Sequence, residues 1–183
     1  MKEKNNNKDN MTIRGFGEEW STYRQNDDVK YDLQKIYSDY FAWFDDHKID
    51  YDNVLDVGCG SGRWARFVAR KASKLDVLDP SAKALKIAKS NLAEFKNVKY
   101  INSTADDLDC NRNYSFVYSL GVLHHIPDTR AAVETVSEFV KPGGHLLLYL
   151  YYRFDNRPKW FQIIWWLSNI LRKVISKLPF PVR

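Results

Sequence analysis

The 183-residue chain is 44% hydrophobic, 28% charged and 15% aromatic, and this mixture excludes a disordered chain, a collagen-like fibre and a low-complexity segment. Its length favours one domain, or one domain with a short appendage, and its two cysteines are too few for a disulfide scaffold. The net charge of +5 comes from residues 151–183, which carry +6 against −1 for residues 1–150, so the body lacks the basic character of a nucleic-acid-binding protein.

The first fifty residues predict a mobile arm over 1–13 and a helical cap over 14–50. The arm is rich in Lys and Asn and lacks the apolar run of a signal peptide, so we expect a reducing, cytoplasmic location. Trp20 and Tyr23 belong to an aromatic patch that predicts packing or, alternatively, a lid over a bound cofactor. Apolar side chains then recur at helical spacing over 31–47, which predicts an amphipathic helix.

The core is predicted over residues 51–152, where strand-like and helix-like segments alternate. Five apolar runs predict strands, at 53–57, 74–78, 98–101, 114–119 and 145–152. The segments between them predict helices at 62–71, 81–93 and 129–140. Asp128 is the predicted N-cap of the last helix, and a turn is predicted at 141–144. Apolar strands separated by helices are typical of an α/β fold, so we expect a Rossmann-like, doubly wound parallel sheet in the order 3-2-1-4-5.

A glycine-rich segment, Asp56-Val57-Gly58-Cys59-Gly60-Ser61-Gly62, lies between the first strand and its helix and predicts a ligand-binding loop. Glycines permit a sharp turn and let a ligand approach main-chain amides, and the next helix directs its positive end to the same place. The nicotinamide fingerprint would need glycine at position 63, where this chain has Arg63, so an oxidoreductase is the less favoured alternative.

Asp79 ends the second strand and is the second candidate in the core. An acid at this place can accept both ribose hydroxyls of an adenosyl group. The alternative is that Asp79 caps the helix that is predicted to begin at Ser81.

The chain resembles the class I S-adenosylmethionine-dependent methyltransferases, particularly their type-11-like small-molecule branch, over about residues 51–152. Five segments in the family's order carry the resemblance: the glycine loop 56–62, Asp79, Ser103-Thr104-Ala105-Asp106-Asp107-Leu108, Gly121-Val122-Leu123-His124-His125-Ile126-Pro127-Asp128 and Lys141-Pro142-Gly143-Gly144. The resemblance implies S-adenosylmethionine as cofactor and a small molecule as methyl acceptor.

The resemblance also implies which residues contact the cofactor. These are Asp56, Gly58, Cys59, Gly60, Gly62, Asp79, Thr104, Ala105, Asp106, Ser119 and Leu120. The loop would pass under the methionine part, with Asp56 holding the loop or the methionine ammonium, and Asp79 would bind the ribose. The segment after the third strand would edge the adenine, and the end of the fourth strand would lie under the methyl group. An acid is common in the family where this chain has Thr104, so the partner of the adenine amine stays open.

Few catalytic groups are expected, because a sulfonium is already an activated electrophile. The acceptor atom must be held in line, roughly 3 Å from the methyl carbon, with water excluded. A general base helps when the acceptor is a hydroxyl or a protonated amine, and His124 and His125 are the candidates. The alternative is that this pair shapes its loop. We expect His145 to be structural, Cys59 not to act as a nucleophile, and no metal site.

Residues 153–183 predict a basic amphipathic helical tail. Apolar residues recur at helical spacing over 158–178, and Trp160, Trp165 and Trp166 widen the apolar stripe. Such a helix could lie on an anionic membrane surface but is too interrupted to span a membrane. The alternatives are packing on its own domain, on a second copy or on further sequence.

The methyltransferase sheet has seven strands in the family, and its last two form a hairpin after strand five. The residues after 152 predict one helix and no further strand, so we expect a shortened or truncated methyltransferase that lacks this strand pair. Two functions follow as expectations. The first is methyl transfer to a small-molecule acceptor, and the alternative is a truncated or non-catalytic S-adenosylmethionine-binding protein.

Overall fold

A parallel sheet organises the computed structural model, which describes residues 7–22, 30–108, 113–151 and 157–175. Residues 1–150 and 151–183 form two separate compact units, and the predicted boundary between core and tail lay at 152. Among its described residues, the first unit contains five α-helices: α1 (Asn10–Thr22), α2 (Lys30–Asp46), α3 (Ala65–Val68), α4 (Ala82–Asn91) and α5 (Thr129–Ser137). Its strands are β1 (Asn53–Val57), β2 (Lys74–Leu78), β3 (Val98–Ile101), β4 (Tyr114–Leu120) and β5 (Val140–Tyr149). The second unit contains α6 (Lys159–Ile175).

The strand order is β3-β2-β1-β4-β5, and each pairing in the described residues is parallel. This confirms the predicted fold class and strand order. β1 is the central strand, and its register places Asp56 opposite Val77 of β2 and Tyr118 of β4. The carboxyl ends of β1, β2 and β4 therefore meet at one edge of the sheet, where α/β folds bind ligands.

The sheet is covered on both faces by apolar side chains. On one face, Phe41 of α2 meets Phe116 and Tyr118 of β4 with ring centroids 6.1 and 5.5 Å apart. The helices α3 and α4 bury their apolar residues in this same cluster, whereas α5 packs on the other face through Ala132 and Val136. The predicted amphipathic helix is thus confirmed as a packing element, and its aromatic face covers the central strands.

Three predicted elements differ from the structure. α1 begins at Asn10, where a mobile arm was predicted, because the Asp9 carboxylate accepts the backbone N–H of Met11 at 2.9 Å and also bonds Thr12. α3 is shorter than the predicted helix 62–71: Gly62, with a φ of +77°, lies outside any right-handed helix, and turns flank the helix on both sides.

The third difference is the predicted turn at 141–144, which lies inside β5. Tyr114 of β4 pairs with Val140 of β5, and Phe116 pairs with His145, so the segment between them forms a bulge against the neighbouring strand. Gly143 adopts a φ of +76° within this bulge. β5 ends at Tyr149, earlier than the predicted strand end at 152.

Candidate active site

The glycine loop follows the central strand and turns back beneath β2. Its backbone N–H groups at Gly58 and Cys59 both donate to the carbonyl oxygen of Leu78, at 2.7 and 3.1 Å. Gly58, Gly60 and Gly62 all have positive φ, at +77°, +54° and +77°. A Cβ at Gly58 would overlap the Val122 side chain, with Cγ2 at 2.7 Å. Only glycine fits these turns without strain, as the motif predicted.

Asp79 is buried, and its carboxylate joins the glycine loop to α4. Oδ2 accepts the N–H of Gly60 at 2.9 Å, and Oδ1 accepts the N–H of Ser81 at 2.8 Å. Burial raises the pKa of Asp79, while the two backbone donors lower it. The N-cap residue of α4 is Ser81, whose side chain accepts from the N–H of Ala84, while Asp79 accepts the N–H of Ser81 itself, so the structure keeps both the ribose role and a role at the helix start open for Asp79.

Asp56 lies at the end of β1 and is buried at the base of the loop. The hydroxyl of Tyr118 donates to Asp56 Oδ2 at 2.8 Å. The pKa of Asp56 is raised to about 8: burial is the main cause, the Tyr118 hydrogen bond acts against it, and the nearby charge of Asp79 adds to it. The Ser119 hydroxyl donates to the carbonyl of Val57 at 2.9 Å and ties β4 to β1 at the same edge.

Tyr118 is the site residue that the sequence analysis missed. It stands in a strand whose other residues pack in the core, and its hydroxyl is buried with the Asp56 carboxyl. The one signal in the sequence is a phenolic hydroxyl, which Tyr118 shares with Tyr114 of the same strand. That signal has no meaning until the register between β1 and β4 is known.

The segment after β3 brings Thr104 and Ala105 to the same edge but directs Asp106 elsewhere. Thr104 donates through Oγ1 to Asp107 at 2.9 Å, and Ala105 is buried. Asp106 is exposed and accepts a hydrogen bond from Thr135 of α5 at 3.1 Å. The structure therefore holds Asp106 toward α5, although the sequence analysis expected it near the adenine.

The segment after β4 carries the histidine pair. Leu120 packs on the core cluster beside α2, and Gly121, with a φ of +74°, leads into a 3₁₀ turn at Leu123–His125. The two histidine rings lie 4.0 Å apart, and their pKa values are lowered, that of His125 by burial and that of His124 by burial and by the charge of its neighbour. Both therefore favour the neutral form that a general base requires at neutral pH.

His145 lies away from this edge, at the other end of the strands. It pairs in register with Phe116, and its ring lies 6.1 Å from that of Trp43 and 6.4 Å from that of Phe44. This surrounding of aromatic rings agrees with the structural role predicted for it. In the described residues we find no group of three or more His, Cys, Asp or Glu side chains that could hold a metal ion.

The N-terminal segment contacts the segments that follow β3 and β4. The Asn7 amide exchanges two hydrogen bonds with the backbone of Asp128, at 2.9 and 2.8 Å, and Lys8 pairs with Asp107. Phe16 of α1 meets the His125 ring edge-on at 4.8 Å. The side chain of Trp20 and the whole of Tyr23 lie outside the described residues, so the lid predicted from them stays a prediction.

A family model for a methyltransferase domain matches residues 23–178 of this chain. The ubiquinone biosynthesis O-methyltransferase of Serratia proteamaculans (strain 568) is 34% identical over 124 residues, which are 66% of this chain and 51% of that protein. The chain thus spans about half the length of the curated relatives it matches.

Two solved structures share the fold. A complex of DhpI with S-adenosylhomocysteine has a TM-score of 0.60 and 26% identity, covering 73% of this chain and 64% of that chain. The N-methyltransferase NodS from Bradyrhizobium japonicum WM9, also with S-adenosylhomocysteine, has a TM-score of 0.62, covers 75% of this chain and 71% of that chain, and at 16% identity shows the fold alone.

Proposed function

Since the chain belongs to the family of methyltransferase domains, we propose that it transfers a methyl group from S-adenosylmethionine to a small-molecule acceptor by in-line displacement. The sulfonium supplies an activated methyl group, so the chain's own task is to bind, orient and exclude water. One observation carries the proposal: the glycine loop after the central strand is held through Gly60 by the buried carboxylate of Asp79.

The residues at this edge fit the amino-acid end of the cofactor. The loop from Gly58 to Gly62, with Cys59 buried in it, makes the sharp turns that its glycines permit at positive φ, and these turns follow directly on the carboxyl end of the central strand. Asp56 has a pKa of about 8 and is mostly protonated at neutral pH. An ammonium group beside it would favour the carboxylate form and form a charge-assisted hydrogen bond.

The residues after β2, β3 and β4 fit the adenosyl end. The two oxygens of Asp79 each accept one backbone N–H and keep a lone pair that can accept a ribose hydroxyl. Thr104 and Ala105 would edge the adenine, and Ser119 and Leu120 would lie under the methyl group. A similar chain was solved in complex with S-adenosylhomocysteine, which supports the choice of cofactor, and Asp106 remains proposed near the adenine with its carboxylate bonded to Thr135 of α5.

We further propose that the acceptor is a hydroxyl group whose proton passes to His124 or His125. The curated relatives are named O-methyltransferases, which favours oxygen as the attacking atom. The lowered pKa values of both rings keep them neutral and able to accept a proton at pH 7.

Two measurements on the purified chain test the proposed function. Calorimetry with S-adenosylmethionine and S-adenosylhomocysteine measures binding, and release of S-adenosylhomocysteine over a panel of phenols, alcohols and amines measures turnover. We expect both, with turnover confined to hydroxyl acceptors. Binding without turnover on any acceptor would contradict the catalytic proposal, and preference for a nicotinamide dinucleotide would contradict the assignment of the cofactor.

Membrane contact or self-association through the tail is also a proposal. Within the described residues no helix combines the length and the apolar character that crossing a membrane requires. The cytoplasmic location predicted above stays a prediction.

A further inference from the structure

The helix α6 exposes a continuous apolar arc to solvent. Five side chains, Trp160, Ile163, Ile164, Leu167 and Ile170, have between 43% and 63% of their surface exposed. At 100° per residue they all fall within about 120° of the helix circumference. No polar residue of α6 falls inside this arc, which we call the apolar arc. An exposed patch of this kind marks a surface that binds a partner.

The positive charge of the tail favours an anionic partner over a second copy of the tail. α6 contains no acidic residue, and its exposed cations Lys159 and Arg172 lie outside the apolar arc. Residues 151–183 as a whole carry a net charge of +6. A second copy of the tail would bring a like charge of +6 against it, which disfavours self-association through this helix.

We propose that the apolar arc of α6 lies in the interface of an anionic lipid membrane. The aliphatic side chains of the arc and Trp160 would insert where the acyl chains meet the headgroups. Trp166, 58% exposed, lies beside the arc and would contact the headgroups. Lys159, at the edge of the arc, can extend its amine to lipid phosphates. The arc also lacks the polar groups by which a folded protein partner would be specified, whereas a lipid surface needs none.

Vesicle sedimentation of the full chain, without any cofactor, tests this proposal. We expect binding to vesicles of equal parts phosphatidylglycerol and phosphatidylcholine, and at least ~tenfold weaker binding to phosphatidylcholine alone. Raising the salt concentration should weaken the binding to the anionic vesicles, because the cations are screened. Equal binding to both vesicle types, or binding to neither, would overturn the proposal.

Variants on two faces of α6 separate the apolar arc from the helix as a whole. The double change Ile163→Ser and Leu167→Ser removes two side chains of the arc, and we expect it to weaken binding to anionic vesicles at least ~tenfold. The matched control, Gln162→Ser and Asn169→Ser, changes two residues outside the arc and should bind as the parent does. Equal losses in both double variants would contradict a lipid-facing arc.

The alternative occupants give different results in the same series. Sedimentation equilibrium would show a dimer that Ile163→Ser and Leu167→Ser dissociates if the arc pairs with a second copy. A loss of thermal stability in that variant, with no vesicle binding in the parent, would mean that the arc packs on its own chain. Either result overturns the lipid proposal and leaves the proposed methyl transfer untouched.

Discussion

Asp79 is bonded to the glycine loop and to the start of α4, and it is also the proposed ligand of the cofactor's ribose. Its carboxylate holds Gly60 and Ser81 together, so it is placed before any ligand arrives. We expect Asp79→Ala to weaken S-adenosylmethionine binding by ~10–100-fold, the effect of losing hydrogen bonds to a charged group. Calorimetry measures this directly. The control is Asp76→Ala, which removes an acid of the same strand that bonds Tyr114 instead; an equal loss there would refute the ribose assignment.

Tyr118 acts on the site through Asp56. Its hydrogen bond lowers the pKa of the Asp56 carboxyl, so Tyr118→Phe should raise that pKa further. If binding of S-adenosylmethionine needs the Asp56 carboxylate, the rise of affinity with pH should then occur at a higher pH than in the parent. The measurement is affinity between pH 6 and about 9.

A matched control for Tyr118→Phe exists on the same strand. Tyr114→Phe removes a hydroxyl that donates to Asp76 at 2.8 Å, the same distance as in the Tyr118 pair. It should leave the pH dependence of affinity unchanged. Coincident pH profiles for the two variants would show that Tyr118 has no effect on the cofactor site.

The histidine pair is tested by rate rather than by affinity. If His124 or His125 takes the proton of a hydroxyl acceptor, replacing that residue by Gln should lower kcat ~10²–10⁴-fold and leave S-adenosylmethionine affinity unchanged. The rate of the parent should fall on the acid side at a pH below the ordinary histidine value, because both pKa values are lowered. His145→Gln is the control, and full activity in both site variants would exclude a histidine base.

Among the elements, the loop between β1 and α3 depends most on its backbone conformation. Gly58→Ala combines a positive φ of +77° with overlap on Val122, and we expect it to destabilise the fold by ~1–3 kcal/mol. Chemical denaturation measures the free energy of unfolding. Gly121→Ala is the control, because Gly121 has a φ of +74° but nothing within 4 Å of the added Cβ. Equal costs would show that overlap with Val122 contributes nothing.

The elements that the sequence predicted correctly are those whose pattern is local. The runs of β1, β2 and β3 have their predicted bounds, because apolar residues bounded by turns define them without knowledge of partners. The bulge of β5 depends on pairing with β4, and the Asp56–Tyr118 pair joins residues 62 apart in the chain. Contacts of this range follow from the register between strands, which no single segment encodes.

At the scale of the whole molecule, Asp56 links stability to pH. Its pKa is about 8 in the folded chain against 3.8 for an ordinary Asp, so the folded chain holds a proton that the unfolded chain releases. Stability therefore falls as the pH rises from about 4 to about 8. Acidic conditions remove this cost, because both states then carry the proton.

We expect Asp56→Asn to stabilise the chain at pH 7 by on the order of 1–3 kcal/mol and to weaken cofactor binding. Thermal unfolding at pH 4 and pH 7 measures the first effect, and the gain should shrink at pH 4. A variant that is equally stable and binds equally well at pH 7 would show that the burial of this acid serves neither purpose.

The bridge that Asp79 makes between the glycine loop and α4 sets a condition on the sugar that binds beside it. Each carboxylate oxygen already accepts one amide N–H, which leaves each oxygen with a further lone pair for a hydroxyl. A nucleoside whose sugar lacks the 2′-oxygen can fill only one of these two places. The crevice should accordingly discriminate against deoxyribose, and this selectivity would come from unfilled acceptor capacity rather than from steric exclusion.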